Sequence, residues 1–232
     1  MGELYKPDHM RNKRFPNDYE KEFLKEIAAT TTTVHGVTIP VNIKIEADQK
    51  VIDYGSMLEI LQKASRYVIR DCPCRTSFMN NCDAPIDVCI HLDDYGDKSV
   101  EAKEYNARYV SYEDALDSVK RAQEAGLVLM AYTKKDHSYP KAVCGCCTCC
   151  CGYFSGMLRY GLTFPFHLIT SDRIASHSNE ECTACGTCVD RCNFDATEVV
   201  DGKLLYHSER CYGCGICTTT CPTHSIKMIQ RN

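Results

Sequence analysis

The sequence predicts an α+β protein in two parts. A mixed α/β, cysteine-rich N-terminal domain over residues 1–152 is joined by an apolar connector, 153–177, to a small β/α module over 178–232. Three observations carry this reading. Helical stripes and strand alternations interleave through the N-terminal part. Two cysteine runs of identical spacing, Cys182-x2-Cys185-x2-Cys188-x3-Cys192 and Cys211-x2-Cys214-x2-Cys217-x3-Cys221, close the chain. Between them, Asp201-Gly202 separates Val199-Val200 from Lys203-Leu204-Leu205, the turn chemistry of a β-hairpin.

Taken in order, Asn17-Asp18-Tyr19-Glu20 sets a capping residue three before a Glu, and Tyr19, Phe23 and Ile27 share a face, so a helix is expected from about 18 to 29. Val37, Ile39, Val41, Ile43 and Ile45 alternate as a half-buried strand does, and Pro40 assigns that strand to a sheet edge. Ser56-x-x-Glu59 opens a helix carrying Met57, Ile60, Leu61, Ala64 and Val68, which is expected to deliver the chain to Asp71-Cys72-Pro73-Cys74-Arg75. Cys72, Cys74, Cys82 and Cys89 then share a loop with Pro73 and Pro85, closed by an acidic turn, Asp93-Asp94-Tyr95-Gly96-Asp97.

Ser111-x-x-Asp114 caps a further helix with Ala115, Val119 and Ala122 inward and Gly126 at its end, and Leu127 to Ala131 reads as a short buried strand. These stripes are core packing. Cys144, Cys146, Cys147, Cys149, Cys150 and Cys151 follow within eight positions. The connector carries Phe154, Met157, Leu158, Leu162, Phe164, Phe166, Leu168 and Ile169, too apolar for a flexible linker.

Eighteen cysteines in 232 residues would suit a secreted disulfide scaffold, but the stretch from Met1 to Pro7 lacks the apolar core of a signal peptide. No apolar run is long enough to span a membrane. The expected setting is therefore the reducing cytoplasm of an anaerobic cell. A net charge of −4 argues against a nucleic-acid partner, since Lys6, Arg11, Lys13 and Arg14 are interleaved with Glu3, Asp8, Asp18 and Glu20. Lys120-Arg121 is too little basic charge for a DNA-reading helix.

A tight loop with a thiolate every third residue offers three sulfurs to three corners of an iron–sulfur cube, and the fourth must come from further away. A zinc ribbon is the structural alternative, but two triplet-plus-one runs would leave each triplet a surplus thiolate. Over about residues 178 to 230 the paired runs resemble the bacterial two-[4Fe–4S] ferredoxins. The resemblance implies that Cys182, Cys185, Cys188 and Cys221 hold one cluster and Cys211, Cys214, Cys217 and Cys192 the other. One departure from the family is Asn193 after Cys192, where Pro is usual, as Pro222 is after Cys221; the turn is expected to be less constrained.

The combination of Cys72-x-Cys74-Arg75, Cys82, Cys89 and the six-cysteine run looks like a cysteine-rich region of multi-cluster iron–sulfur proteins of anaerobes. It implies one or two further clusters, with the two thiol groups brought together by the intervening helix and strand. A structural zinc on four of these thiols is the alternative.

No dinucleotide fingerprint, P-loop or nucleophile elbow is present, and the eight His are scattered, with His91, near Cys89, the one singled out as a candidate ligand. No catalytic acid, base or nucleophile is assigned. The expectation is an electron-transfer protein or subunit serving a partner oxidoreductase or larger redox complex. The alternative is a redox enzyme or activase whose N-terminal cluster activates a substrate or cofactor.

Overall fold

Alternating apolar side chains build the N-terminal part around one seven-stranded sheet. The computed structural model describes residues 15–30, 35–38, 57–133, 140–160, 168–169, 171 and 173–231. The strands lie side by side in the order β4 (Arg108–Val110), β2 (Tyr67–Arg70), β3 (Cys89–Leu92), β6 (Pro140–Cys146), β5 (Val128–Thr133), β1 (His35–Thr38), β7 (Leu168–Ile169). Neighbours are antiparallel except β1 and β7.

Period-two alternation gives the sheet two different faces. Ile69, Ile90 and Val143 are in register across β2, β3 and β6 and enter the main core with Ala115 and Ala122 of α4 (Tyr112–Glu124) and Ile60 and Leu61 of α2 (Met57–Lys63). Val68, His91 and Ala142, one residue out of phase, are also in register and point the other way. There α3 (Asp93–Glu101) covers them so closely that a Cβ at Gly96 would meet Val68 Cγ2 at 2.9 Å.

Several expected elements are present. Ser111 and Asp114 form a reciprocal capping box at the start of α4, Gly126 follows its end with φ +74°, and Val128 to Ala131 are buried in β5. Asp201 and Gly202, both at positive φ, turn β9 (Thr197–Val200) into β10 (Lys203–Tyr206). The second C-terminal ribbon pairs β8 (Arg173–His177) with β11 (Ile226–Gln230), and the short helices α5 (Thr187–Asp190) and α6 (Ile216–Thr220) pack together beside it. The fold is therefore mixed α and β.

Other expectations are corrected. The first helix, α1, spans Lys21–Thr30, but Asn17 does not cap it; its amide donates to the Met79 carbonyl at 2.7 Å. Leu24 turns inward with Tyr19, while Phe23 stays 40% exposed and stacks on Tyr19. The Ile27 side chain, the basic arm before Phe15, Ser56 and the run from Ile39 to Ile45 with Pro40 lie outside the described residues. The described piece of that strand, β1, is paired on both sides and is not an edge.

The helix opening at Met57 stops at Lys63, so a strand, β2, delivers Cys72, and Val68 belongs to it. Tyr67 closes the helix by donating its hydroxyl to the Leu61 and Ala64 carbonyls at 2.6 and 2.9 Å. Cys89 lies on β3 and outside the loop. The acidic stretch from Asp93 forms the first turns of α3, where carboxylates favour the positive end of the helix dipole. Among the described residues no helix is long and apolar enough to cross a membrane.

Candidate metal centres

All eighteen cysteines are free of disulfides, and the fold gathers them into four groups. In the C-terminal part, Cys182, Cys185, Cys188 and Cys221 line one pocket of about 20 Å3, and Cys192, Cys211, Cys214 and Cys217 line another of the same volume. Each pocket takes three cysteines from one run and its fourth from the other.

Local backbone explains the loops. Gly186 and Gly215, at φ +81° and +74°, turn the chain left-handed immediately before α5 and α6, so each triplet wraps its pocket and then enters a helix. Gly213 is required for a different reason: a Cβ there would lie 2.1 Å from the Arg173 carbonyl oxygen. Backbone N–H groups of Ala184 and Ala196 donate to Cys182 Sγ and Cys192 Sγ at 3.4 and 3.2 Å. Burial opposes ionisation of Cys221, yet the Ser225 and Thr223 hydroxyls bring its thiol down to about 7. Burial pushes Cys217 up to about 12.

In the N-terminal part, strand register places the thiols. Cys89 is paired directly with Cys144, and Cys146 lies two residues further along the same face of β6. That face also carries Arg70, His91 and Tyr132 and looks into a cavity of about 370 Å3. The π-helical turn Cys74–Phe78, just beyond β2, brings Cys72 and Cys74 to the cavity, and Cys151 reaches it from the turn after β6.

These six thiols line that one cavity. The neighbouring thiols of Cys74, Cys144 and Cys146 push those of Cys72, Cys89 and Cys151, respectively, well above their ordinary range. A metal centre would displace those protons.

The remaining thiols, Cys82, Cys147, Cys149 and Cys150, have sulfurs within 4.8 Å of one another, the arrangement of a four-coordinate metal. The Asn81 N–H donates to Cys150 Sγ at 3.3 Å. Hydrogen bonds from Cys147 and Cys149 bring Cys150 down to about 4. Cys147 also borders the six-thiol cavity, so the two groups adjoin. Their supporting clamp is a buried ion pair: Arg159 donates to both Asp18 carboxylate oxygens at 2.7 Å and to the Thr148 carbonyl at 2.6 Å.

The two cysteine groups flanking α4 and β5 thus come together in space, as the sequence suggests. Their division was missed. Its one sequence signal is the alternation Ala142-x-Cys144-x-Cys146, which is the period of a strand.

Two basic groups to which sequence reasoning gave no role also border the sites. Arg75 is 2% exposed, donates one nitrogen to the Gly145 carbonyl, and leaves Nε and Nη1 buried with no partner among the described residues. Lys141 stands at the cavity, bonded to Asp94 at 3.1 Å. His91 is held neutral, its ring brought down to about 3 by burial and by Arg70, and it shares a 2.8 Å hydrogen bond with Ser99.

A family model described as a 4Fe-4S binding domain matches residues 205–227, which contain the second cysteine run. The chain matches no curated protein sequence. The matched residues, with the thiol groups, indicate a 4Fe–4S-binding protein.

Proposed function

We propose that the chain is a cytoplasmic iron–sulfur electron carrier or electron-transfer subunit, with a two-[4Fe–4S] ferredoxin module over 178–232 following a cluster-binding domain over 1–152. The observation that carries this is the exchange of fourth thiols between the two C-terminal pockets, since eight thiols so divided fit two cubes and no pair of zinc ions requires it. Phe154, at the start of the apolar connector 153–177, supports a continuous path: it packs on Phe194 with ring centroids 5.8 Å apart, and Phe194 stacks on Tyr212 at 4.4 Å, while Leu162, Phe164 and Phe166 of the connector lie outside the described residues. These aromatics share one core with Cys147 and Cys150, and Cys192 and Cys214 pack against that core.

The residues' task in that function is to hold clusters rigidly and set their potentials. Backbone N–H groups at Ala184, Ala196 and Asn81 supply hydrogen bonds to sulfur that favour the reduced, more negative state. A single electron then passes from a reduced partner oxidoreductase into the chain and out again with no bond made or broken.

The test is reductive titration of protein purified without oxygen, followed by EPR. One electron per four-iron cluster and signals from at least two interacting clusters are expected. Protein containing zinc and no acid-labile sulfide would overturn the reading.

A second reading rests on the cavity. Its rim carries Tyr95, 41% exposed, and Lys141, so a small anionic substrate could approach the six thiols there. A change in the EPR of the reduced protein on adding small anions would favour that reading.

A further inference from the structure

We propose that Cys72, Cys74, Cys89, Cys144, Cys146 and Cys151 together hold one iron–sulfur cluster larger than a cubane, separate from a four-iron cluster on Cys82, Cys147, Cys149 and Cys150. The proposal deepens the iron–sulfur reading above and rests on it.

The first argument is ligand number. A four-iron cube uses four thiolates, and so does a structural zinc. The ten N-terminal thiols do not divide into two fours with two left over. Four are set apart by mutual sulfur distances within 4.8 Å, and the other six line one cavity, where Cys89 is paired with Cys144 across β3 and β6. Six terminal thiolates suit two joined four-iron units, three to each, whose remaining corners are shared, and they leave no thiol idle.

The second argument is space, and the molecule supplies its own yardstick. The two C-terminal pockets, each lined by four cysteines, have about 20 Å3. The six-thiol cavity has about 370 Å3. A space of that size admits more than one cube, and a single cube would leave two of the six thiols without a role.

The third argument is charge. A cluster with six thiolates is strongly anionic, and burying it requires a cation and N–H donors nearby. Arg75 supplies both. Its guanidinium lies among Cys72, Cys147, Cys146 and Cys89, and Nε and Nη1 are the donors left without a partner. Leaving two donors of a buried guanidinium unsatisfied is costly unless an acceptor arrives with the cofactor, and cluster sulfide is such an acceptor. Arg75 is accordingly a positioning residue that also raises the cluster's potential.

The experiment is iron and acid-labile sulfide analysis of the full chain purified without oxygen, with Mössbauer spectroscopy of 57Fe-grown protein. Two C-terminal cubes and one on the four-thiol site account for about 12 iron; the larger cluster brings the total to roughly 20. The paired variant Cys89→Ser with Cys151→Ser should lose about 8 of these, and Cys82→Ser about 4. Arg75→Gln should keep the iron and move one midpoint potential to a more negative value while the others stay. Because the wild-type count and spectrum need no variant, a misfolded mutant does not decide the matter. About 16 iron, with a fourth ordinary cubane spectrum, overturns the proposal, as does zinc in the N-terminal sites with 8 iron elsewhere. The zinc result would leave the ferredoxin reading standing, whereas absence of C-terminal iron would remove that reading first.

Discussion

The side-chain amide of Asn193 donates to the Gly126 carbonyl at 2.9 Å, joining the C-terminal module to the end of α4. Asn193 stands where the ferredoxins usually have Pro, and the exchange has a use. Pro has no donor, whereas Asn closes a contact that Arg191 extends by donating to the Glu124 and Gln123 carbonyls at 2.7 and 3.2 Å. These are carbonyls of the last helical turn, where a cation also favours the dipole. The turn after Cys192 is thus held by a long-range bond, which corrects the expectation of a less constrained turn.

Asn193→Ala and Asn193→Pro should therefore each destabilise the full chain by about 1 kcal/mol, the net worth of one hydrogen bond. Iron content should not change. Denaturant midpoints at constant iron provide the measurement. A more stable Asn193→Pro variant would show that ring rigidity outweighs the docking bond.

Fourth-ligand exchange predicts a crossed pattern of damage. Cys221→Ser should perturb the cluster on Cys182, Cys185 and Cys188, and Cys192→Ser the one on Cys211, Cys214 and Cys217. EPR of each reduced variant should show one signal altered and its partner retained. If Cys192→Ser instead disturbed the signal that depends on Cys182, the assignment would be wrong.

The Asp18–Arg159 pair should be costly to break from one side. Arg159 is 4% exposed, and its other nitrogen holds the Thr148 carbonyl inside the six-cysteine run. Asp18→Ala leaves a buried cation unpaired, with an expected loss of about 3–5 kcal/mol. Since the Thr148 loop carries Cys147, Cys149 and Cys150, N-terminal iron should fall as well, while the C-terminal signals persist. Thermal unfolding with metal analysis tests both halves of this statement.

How much the sequence disclosed depends on the range of the forces involved. The C-terminal triplets are placed by loop spacing and left-handed glycines, both local, so they could be read from the runs themselves, whereas the exchange of Cys192 and Cys221 between them is long-range and was expected only from the ferredoxin resemblance. The six-and-four division of the N-terminal thiols depends on register between Cys89 and Cys144, fixed only when β3 meets β6. The stretch from Asp93 has the composition of a turn, yet it is helical because the Asp93 carboxylate takes the Ser65 and Arg66 N–H groups and the absent Cβ of Gly96 lets α3 lie against Val68. Neither partner is near in sequence. The end of α2 is a similar case, since Tyr67 satisfies its last carbonyls from the following strand.

Metal removal should unfold the chain unevenly, because the parts differ in what holds them. Beneath Cys182, Cys185, Cys188 and Cys221 the fully buried apolar core is Ala175, Cys188 and Ile226, too little to offset the entropy of ordering β8, β11 and α5. There, metal binding is folding free energy. Around Cys192, Cys211, Cys214 and Cys217, Phe194, Tyr212 and Ile216 are anchored in the main core with Phe154 and Met157. The strands β2, β3 and β5 rest on that core directly. Chelation under anaerobic conditions should therefore strip hydrogen-exchange protection first from β8, β11 and α5, next from the Phe194 to Tyr212 region, and least from β2, β3 and β5. Uniform loss of protection along the chain would mean that the N-terminal clusters, rather than the apolar core, hold the sheet together.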